Sequence, residues 1–259
     1  MLGLRLRARL RRPILRRMGT LLLIRHGQAS ALSAEYDKLT PLGEEQARCL
    51  GLEWARRKPE FAQVYYGPRE RQRRTAELAI AACAGAGGPK LQARALPALD
   101  EFRIEPLQRQ FPLFAQEHPE LRKYLPGLSP DAAPELRMLA LQKIGAGLLK
   151  MWVNDQISAE GSERWSDFCA RVQGALQQIV DAAPPRAHIA AFTSAGVIGA
   201  AVQAALGLDP DRSLELVLRV RNASASEFLF ARPAGTRFSL STFNEAGHLA
   251  EDPRLVTLL

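Results

Sequence analysis

Arg25, His26 and Gly27 stand together where an uninterrupted apolar run ends. An arginine offers a planar fork of donors that matches the oxygens of a phosphoryl group. A neutral imidazole beside it can attack phosphorus and carry the group as a phosphohistidine. The glycine lets backbone come close to whatever is bound. The same tripeptide also fits a surface turn with a solvated histidine, so its meaning depends on where the chain places it and on what converges there.

The placing element is Thr20 to Ser30, TLLLIRHGQAS. Leu21 to Ile24, entered from Gly19 and left through Gly27, reads as a short strand buried on both faces, as in parallel α/β sheets. Its carboxyl end is where open α/β sheets bind ligands. Ala31 to Leu39 reads as a polar loop. Thr40-Pro41 then gives an N-cap and a proline at the first helical position, and Ala47, Leu50 and Trp54 recur at helical spacing, predicting a helix over Pro41 to Arg57. Phe61 to Tyr66 reads as a second strand, broken by Gly67-Pro68. A helix over Arg69 to Ala84 follows, with Ala76, Ala79, Ile80 and Cys83 inward, and Leu91 to Ala95 is a weak strand candidate.

From Arg103 to about Gly161 the strand signals vanish and prolines cluster. One amphipathic helix, Pro134 to Val153, carries Leu136, Leu139, Ile144, Leu148 and Trp152; the segment reads as a helical insertion placed over the cleft as a lid. The α/β pattern resumes with a helix over Glu163 to Ala182, with Trp165, Phe168, Val172, Leu176 and Ile179 inward. A strand from His188 to Thr193, the turn Ser194-Ala195-Gly196 and a small-residue helix to Leu206 come next. The remainder, including Ala223 to Ala231 and Arg237 to Phe243, reads as edge strands. The expected fold is α/β: one domain over 18–259, a mainly parallel doubly wound sheet with helices on both faces and an insertion at 103–161 over the active-site cleft.

Composition narrows the classes. The chain of 259 residues, 47% hydrophobic and 7% aromatic, has the make-up of an ordinary globular protein. Its net charge of +8 is concentrated: residues 1–17 hold seven arginines and no acid, so 8 minus 7 leaves about +1 for the rest. That basic leader reads as disordered or as an upstream extension, with Met18 as an alternative start, and no apolar stretch follows it that would make a signal peptide. No run approaches the ~20 apolar residues of a membrane span. Cys49, Cys83 and Cys169 are far apart, lack metal-ligand spacing and fit buried, reduced thiols of a cytoplasmic protein. No metal or cofactor is expected. Nor is nucleic acid, because the run Arg69, Arg71, Arg73, Arg74 has no interleaved aromatics.

In order along the chain, IRHGQAS, LTPLGEEQARCLG, VYYGPRERQRRTAE, LDEF, HIAAFTSAGVIG and FNEAGHL resemble the histidine phosphatase superfamily, the phosphoglycerate mutase-like proteins. The resemblance covers most of Thr20 to Leu249. It implies that His26 is the nucleophile and Arg25 a phosphate ligand. Arg71, four residues before Thr75-Ala76, matches the second arginine of the pocket, and Glu101 matches the acid that protonates the leaving oxygen and later activates water. Such a carboxyl must stay protonated near neutral pH. Gln28, next in the first motif, and Ala195, whose amide opens the following helix, join Arg25, Arg71 and Ser194 as expected phosphate-binding positions.

One departure matters. Where the family carries a second histidine followed by glycine, this chain has Ser194 and then Ala195. His188 begins the same strand, about 20 Å away, His118 lies in the insertion, and His248 reads as a packing or hydrogen-bonding position. A serine hydroxyl and helix N-terminal amides can still bind a phosphoryl oxygen, without the charge of an imidazolium. An esterase-type serine is disfavoured because Phe192 stands where a nucleophile elbow has its first glycine. Three functions follow: a metal-independent phosphatase acting on a phosphorylated small molecule through His26, in a slow or specialised version; a phospho-ligand-binding or regulatory protein with little or no turnover; and, least favoured, a mutase.

Overall fold

The run Leu21 to Ile24 does form the strand around which the sheet is built. In the computed structural model, which describes residues 18–29, 37–103, 105–231 and 238–258, this strand, β1 (Gly19–Arg25), is followed by α1 (Pro41–Arg57), β2 (Phe61–Tyr66), α2 (Glu70–Gly85) and β3 (Ala93–Ala95). The leader at 1–17, most of the loop after Ala29 and the start of the last expected strand lie outside the described residues. β4 (His188–Thr193), β5 (Ala225–Phe230) and β6 (Ser239–Glu245) complete a six-stranded sheet in the order β3-β2-β4-β1-β5-β6.

β1 to β4 run parallel, with β1 pairing β4 and β2 pairing both β3 and β4. β5 and β6 are antiparallel additions. β5 is therefore not an edge: it sits between β1 and β6, and only β3 and β6 end the sheet. The region after Leu206 also contains a helix, α9 (Pro210–Val217), where strands were expected. Its start is written locally: Asp209 accepts a hydrogen bond from the Arg212 N–H at 2.8 Å and Pro210 fills the first turn.

Strand alternation splits the core. Leu21, Leu23, Ile189 and Ala191 face one layer, with α7 (Trp165–Asp181) and α8 (Ala195–Leu206). Ile24, Ala190 and Phe192 face the other, with Leu50 and Trp54 of α1 and Ala76, Ala79 and Cys83 of α2. Cys169 is also buried, whereas Cys49 is only half-buried, and Ile80 likewise sits at the margin.

Between Glu105 and Val153 the chain forms three short helices, α3 (Glu105–Arg109), α4 (Phe111–Glu117) and α5 (Pro119–Arg122), and the long α6 (Pro134–Val153). The expected bounds of α6 hold, but not its inward face. Ile144, Leu148 and Trp152 are buried, whereas Leu136 is 56% exposed and Leu139 43%. The amino half of α6 buries Ala140 alone, whereas the carboxyl half reaches the core, where Trp152 packs on Phe102 and Trp165 at 4.7 and 5.4 Å between ring centroids. Among the described residues no helix is long and apolar enough to cross a membrane.

Candidate active site

The register of β1 on β4 assembles the site. Arg25 lies opposite Thr193, so His26 and Ser194 leave adjacent strands at the same carboxyl end, and the His26 N–H donates to the Thr193 carbonyl at 2.9 Å. Gly27 has a structural reason different from the expected approach to ligand. A Cβ there would lie 2.3 Å from the Gly43 carbonyl of α1, and one on Gly43 would lie 2.0 Å from the Gln28 carbonyl. The two glycines let the first turn of α1 lie against the Arg-His-Gly backbone. Thr40 caps that helix, accepting from the Gly43 N–H at 3.1 Å. Gln46 accepts from the Gln28 N–H at 2.8 Å and donates to the Leu255 carbonyl.

The hydrogen bonds of His26 fix its tautomer. Its Nδ1 lies 2.7 Å from the Gly27 carbonyl, which can only accept, so Nδ1 carries the proton. Its Nε2 receives the Arg71 Nε–H at 3.1 Å. A guanidinium can only donate, so Nε2 presents a lone pair. Burial, then Arg25 and Arg71, hold the imidazole well below its ordinary pKa of 6.5, in the neutral form. Arg71, 5% exposed, also donates to Asp37 at 2.9 Å. Thr75 links the two motifs: its hydroxyl donates to the Arg71 carbonyl at 2.7 Å and accepts from the Gly27 N–H at 3.0 Å.

Glu101 arrives from the turn after β3. Asp100 accepts from Arg69 at 2.6 Å and from the Glu101 N–H at 2.8 Å, while Arg171 of α7 donates to the Ala98 and Asp100 carbonyls. The Glu101 carboxyl accepts from the Phe102 N–H at 3.1 Å and from the Gly196 N–H, at the start of α8, at 3.3 Å. A Cβ at position 196 would meet Glu101 Oε1 at 2.2 Å, so glycine is required for that approach. Burial pushes the carboxyl above its ordinary 4.5, with Arg71, these two N–H groups and Arg25 pulling the other way.

Ser194 is fully buried, and its hydroxyl oxygen accepts from Gln72 Nε2 at 2.8 Å instead of capping α8. Ala195 opens α8 at the same turn. Arg25 is anchored through NH1 on the Val220 and Leu258 carbonyls at 2.5 and 2.6 Å. Gln28 turns its Oε1 to the Thr40 hydroxyl at 2.9 Å, toward the cap of α1. The structure thus gathers His26, Arg71, Glu101 and Ser194, keeps Arg25 within electrostatic range and engages the Gln28 side chain with the helix cap. His188 bonds Thr20 at the far end of β4, and His118 sits beside Glu120 in the insertion. Sequence reasoning missed Asp37 and Gln72. Gln72 had a local signal, adjacency to Arg71 on α2. Asp37 had none, because its partner lies 34 residues away.

Among the described residues no cluster of histidine, cysteine and carboxylate side chains is arranged to hold a metal ion. What the gathered groups can do is bind an anion beside an unprotonated imidazole, with a buried carboxyl of raised pKa across from it.

The chain belongs to the histidine phosphatase superfamily: the family's branch 1 matches residues 21–138 and 135–245. No curated protein matches the sequence. Among solved structures, a phosphoglycerate mutase from Bacillus anthracis str. Sterne aligns with a TM-score of 0.60 at 18% identity, over 90% of this chain and 96% of that one. A mycobacterial glucosyl-3-phosphoglycerate phosphatase gives 0.59 at 20% identity, over 88% and 99%. A phosphoserine phosphatase variant from Entamoeba histolytica, in complex with phosphoserine, gives 0.55 at 17%, over 90% and 100%. At these identities the likeness is one of fold.

Proposed function

We propose that this protein is a metal-independent phosphatase that hydrolyses a phosphomonoester of a small molecule through a phosphohistidine on His26. The observation that carries the reading is the tautomer of His26, with Nδ1–H on the Gly27 carbonyl and the Nε2 lone pair held against Arg71. A nucleophile needs that lone pair unprotonated, and the Nδ1–H on Gly27 keeps it so; Arg71, which donates to Nε2 in this structure, turns that N–H to a phosphoryl oxygen when the group binds.

In the first step Nε2 attacks phosphorus and the P–O ester bond breaks, while the leaving oxygen takes the Glu101 proton. Arg25 and Arg71 balance the charge on the phosphoryl oxygens, and the Ser194 hydroxyl, whose oxygen already accepts from Gln72, directs its hydrogen at one of them. In the second step Glu101, now a carboxylate, takes a proton from water as the water attacks phosphorus. The P–N bond breaks, phosphate leaves, and both His26 and Glu101 regain their starting forms. Two proteins of this fold are a glucosyl-3-phosphoglycerate phosphatase and a phosphoserine phosphatase, which supports a small-molecule substrate. The three free cysteines support a reducing compartment such as the cytoplasm.

One observation favours a second reading, a phosphate-binding protein with little turnover. Ser194 brings no positive charge to the turn, and the Gly196 N–H that opens α8 is engaged by Glu101. Steady-state hydrolysis of an aryl phosphate separates the two. The phosphatase turns over, loses turnover in His26→Ala and keeps phosphate binding there. Equal hydrolysis by wild type and His26→Ala would refute the phosphohistidine, and no hydrolysis by either would leave the binding protein.

A further inference from the structure

The two faces of the sheet are covered unequally. Beyond the flank of α1, the faces of β1, β5 and β6 line a groove of about 590 Å³. It opens at the amino ends of β1, β2 and β4, beside Thr20, Phe61 and His188, whereas His26 lies at the carboxyl end. Its floor is apolar, with Leu22, Trp54 and Phe61, and its rim is acidic, with Glu60, Glu227 and Glu245. Glu53, also in the lining, is paired with Arg56 and with the one lining arginine, Arg57. His248 is kept below its ordinary pKa by burial, and His188 is bonded to Thr20.

Among the described residues, no ion pair reaches Glu60 or Glu227. Glu227 is half-buried on β5, in register with Leu22 on one side and Thr242 on the other. A cation brought to that half-buried carboxylate is partly shielded from water, so the pair is worth more than one fully exposed. The chain has such cations in its own residues 1–17, which hold seven arginines and no acid and join the described chain two residues before Thr20.

We propose that residues 1–17 dock in this groove as the chain's own basic strap. The stretch Leu4 to Leu10 reads LRLRARL. In an extended chain this alternation puts Leu4, Leu6 and Leu10 on one side and Arg5, Arg7 and Arg9 on the other. The leucines meet the Trp54 and Phe61 floor, and the arginines meet Glu60, Glu227 and Glu245. Guanidinium groups suit both surfaces, since they fork onto carboxylates and stack on aromatic rings. Reach is ample, because 17 residues extend to roughly 56 Å. Each rim pair is weak and screened by salt, so the docking depends on several acting on one segment. The groove thus gives the leader a role that a bare upstream extension lacks, and it stands whether or not His26 is a nucleophile.

Limited trypsin digestion of the full chain, followed by intact mass, tests it. At low ionic strength, cleavage after Arg5, Arg7 and Arg9 is expected to run about tenfold slower in wild type than in Glu227→Lys, because cutting follows the undocked population. About 0.5 M NaCl should abolish the protection. Circular dichroism checks that Glu227→Lys folds; should it not, the double variant Glu60→Lys/Glu245→Lys, on the exposed rim, carries the same expectation. Equal cleavage in wild type and the folded variant overturns the proposal. Protection that grows with protein concentration would place the segment on a neighbouring copy, and protection that requires anionic vesicles would place it on a membrane surface; either result overturns docking within the chain.

Discussion

The two regions that meet at Phe102 are built on opposite principles. On one side, the ends of β1 and β4 bury His26, Arg71, Gln72, Thr75 and Ser194 in a net of hydrogen bonds, each with a named partner. On the other, the segment from Glu105 to Val153 is held by apolar contacts along half of α6 and leaves Leu113, Leu136, Met138 and Leu141 more than half exposed. Polar groups buried without partners are costly, so the first region tolerates one geometry. Apolar contacts are not directional, so the second can change sequence and shape while the first keeps its chemistry. In the proposed phosphatase the β1 and β4 ends perform the reaction, and the insertion packs beside Glu101 through Phe102 and Trp152.

Variants on either side sharpen that contrast. Arg71→Ala removes a phosphate ligand, the donor on Nε2 and the partner of Asp37 together, and should lower kcat/KM for an aryl phosphate by ~10²–10³. Leu148→Ala, at a fully buried position of α6, should cost about 2–5 kcal/mol in denaturant unfolding. Leu136→Ala, on the exposed half of the same helix, should stay within about 0.5 kcal/mol. Equal losses at the two positions would contradict the half-docked helix.

Glu101→Gln cannot give up a proton and should slow an alkyl phosphate by ~10², and a good aryl leaving group by less. In wild type the rate should fall as pH rises through the elevated Glu101 pKa, and this limb should vanish in Glu101→Gln. A limb that persists would assign the titration elsewhere. Ser194→Ala, which deletes one neutral donor, should cost roughly fivefold in kcat.

The smallest effect is on stability. His26 binds its proton less tightly folded than unfolded, since its folded pKa lies below the ordinary 6.5. Its contribution is therefore present above pH 6.5 and lost as pH falls toward the folded value, and His26→Gln should flatten that part of the pH–stability curve. An unchanged curve would mean that His26 titrates normally.

Much of this was legible in the sequence because it is local. Thr40-Pro41 announced the start of α1, the apolar runs announced β1, β2 and β4, and the six ordered motifs named the family. The same pairing of a capping side chain with a following proline stands at Asp209-Pro210 and starts α9, among segments whose strand patterns mask it. The inward face assigned to Leu136 and Leu139 failed for another reason. Periodicity shows that a helix has an apolar stripe, but tertiary contacts decide how far along the helix that stripe is covered. In the site, residue type marked His26, and the family motifs marked Arg71 through its register against Thr75 and Glu101 within LDEF, whereas Asp37 and the closeness of Gly27 to Gly43 depend on pairings distant in the chain. The antiparallel turn of β5 and β6 likewise follows from sheet order, which single-strand patterns do not encode.

The central claim is that the unprotonated Nε2 of His26 becomes covalently phosphorylated. Rapid mixing of the full chain with an aryl phosphate, quenching within the first turnover and intact-mass analysis test it most directly. The account predicts a species one phosphoryl group heavier, about 80 Da, that is acid-labile, forms at least as fast as steady-state turnover and is absent from His26→Ala. Turnover without that adduct, or an adduct that survives in His26→Ala, would contradict it.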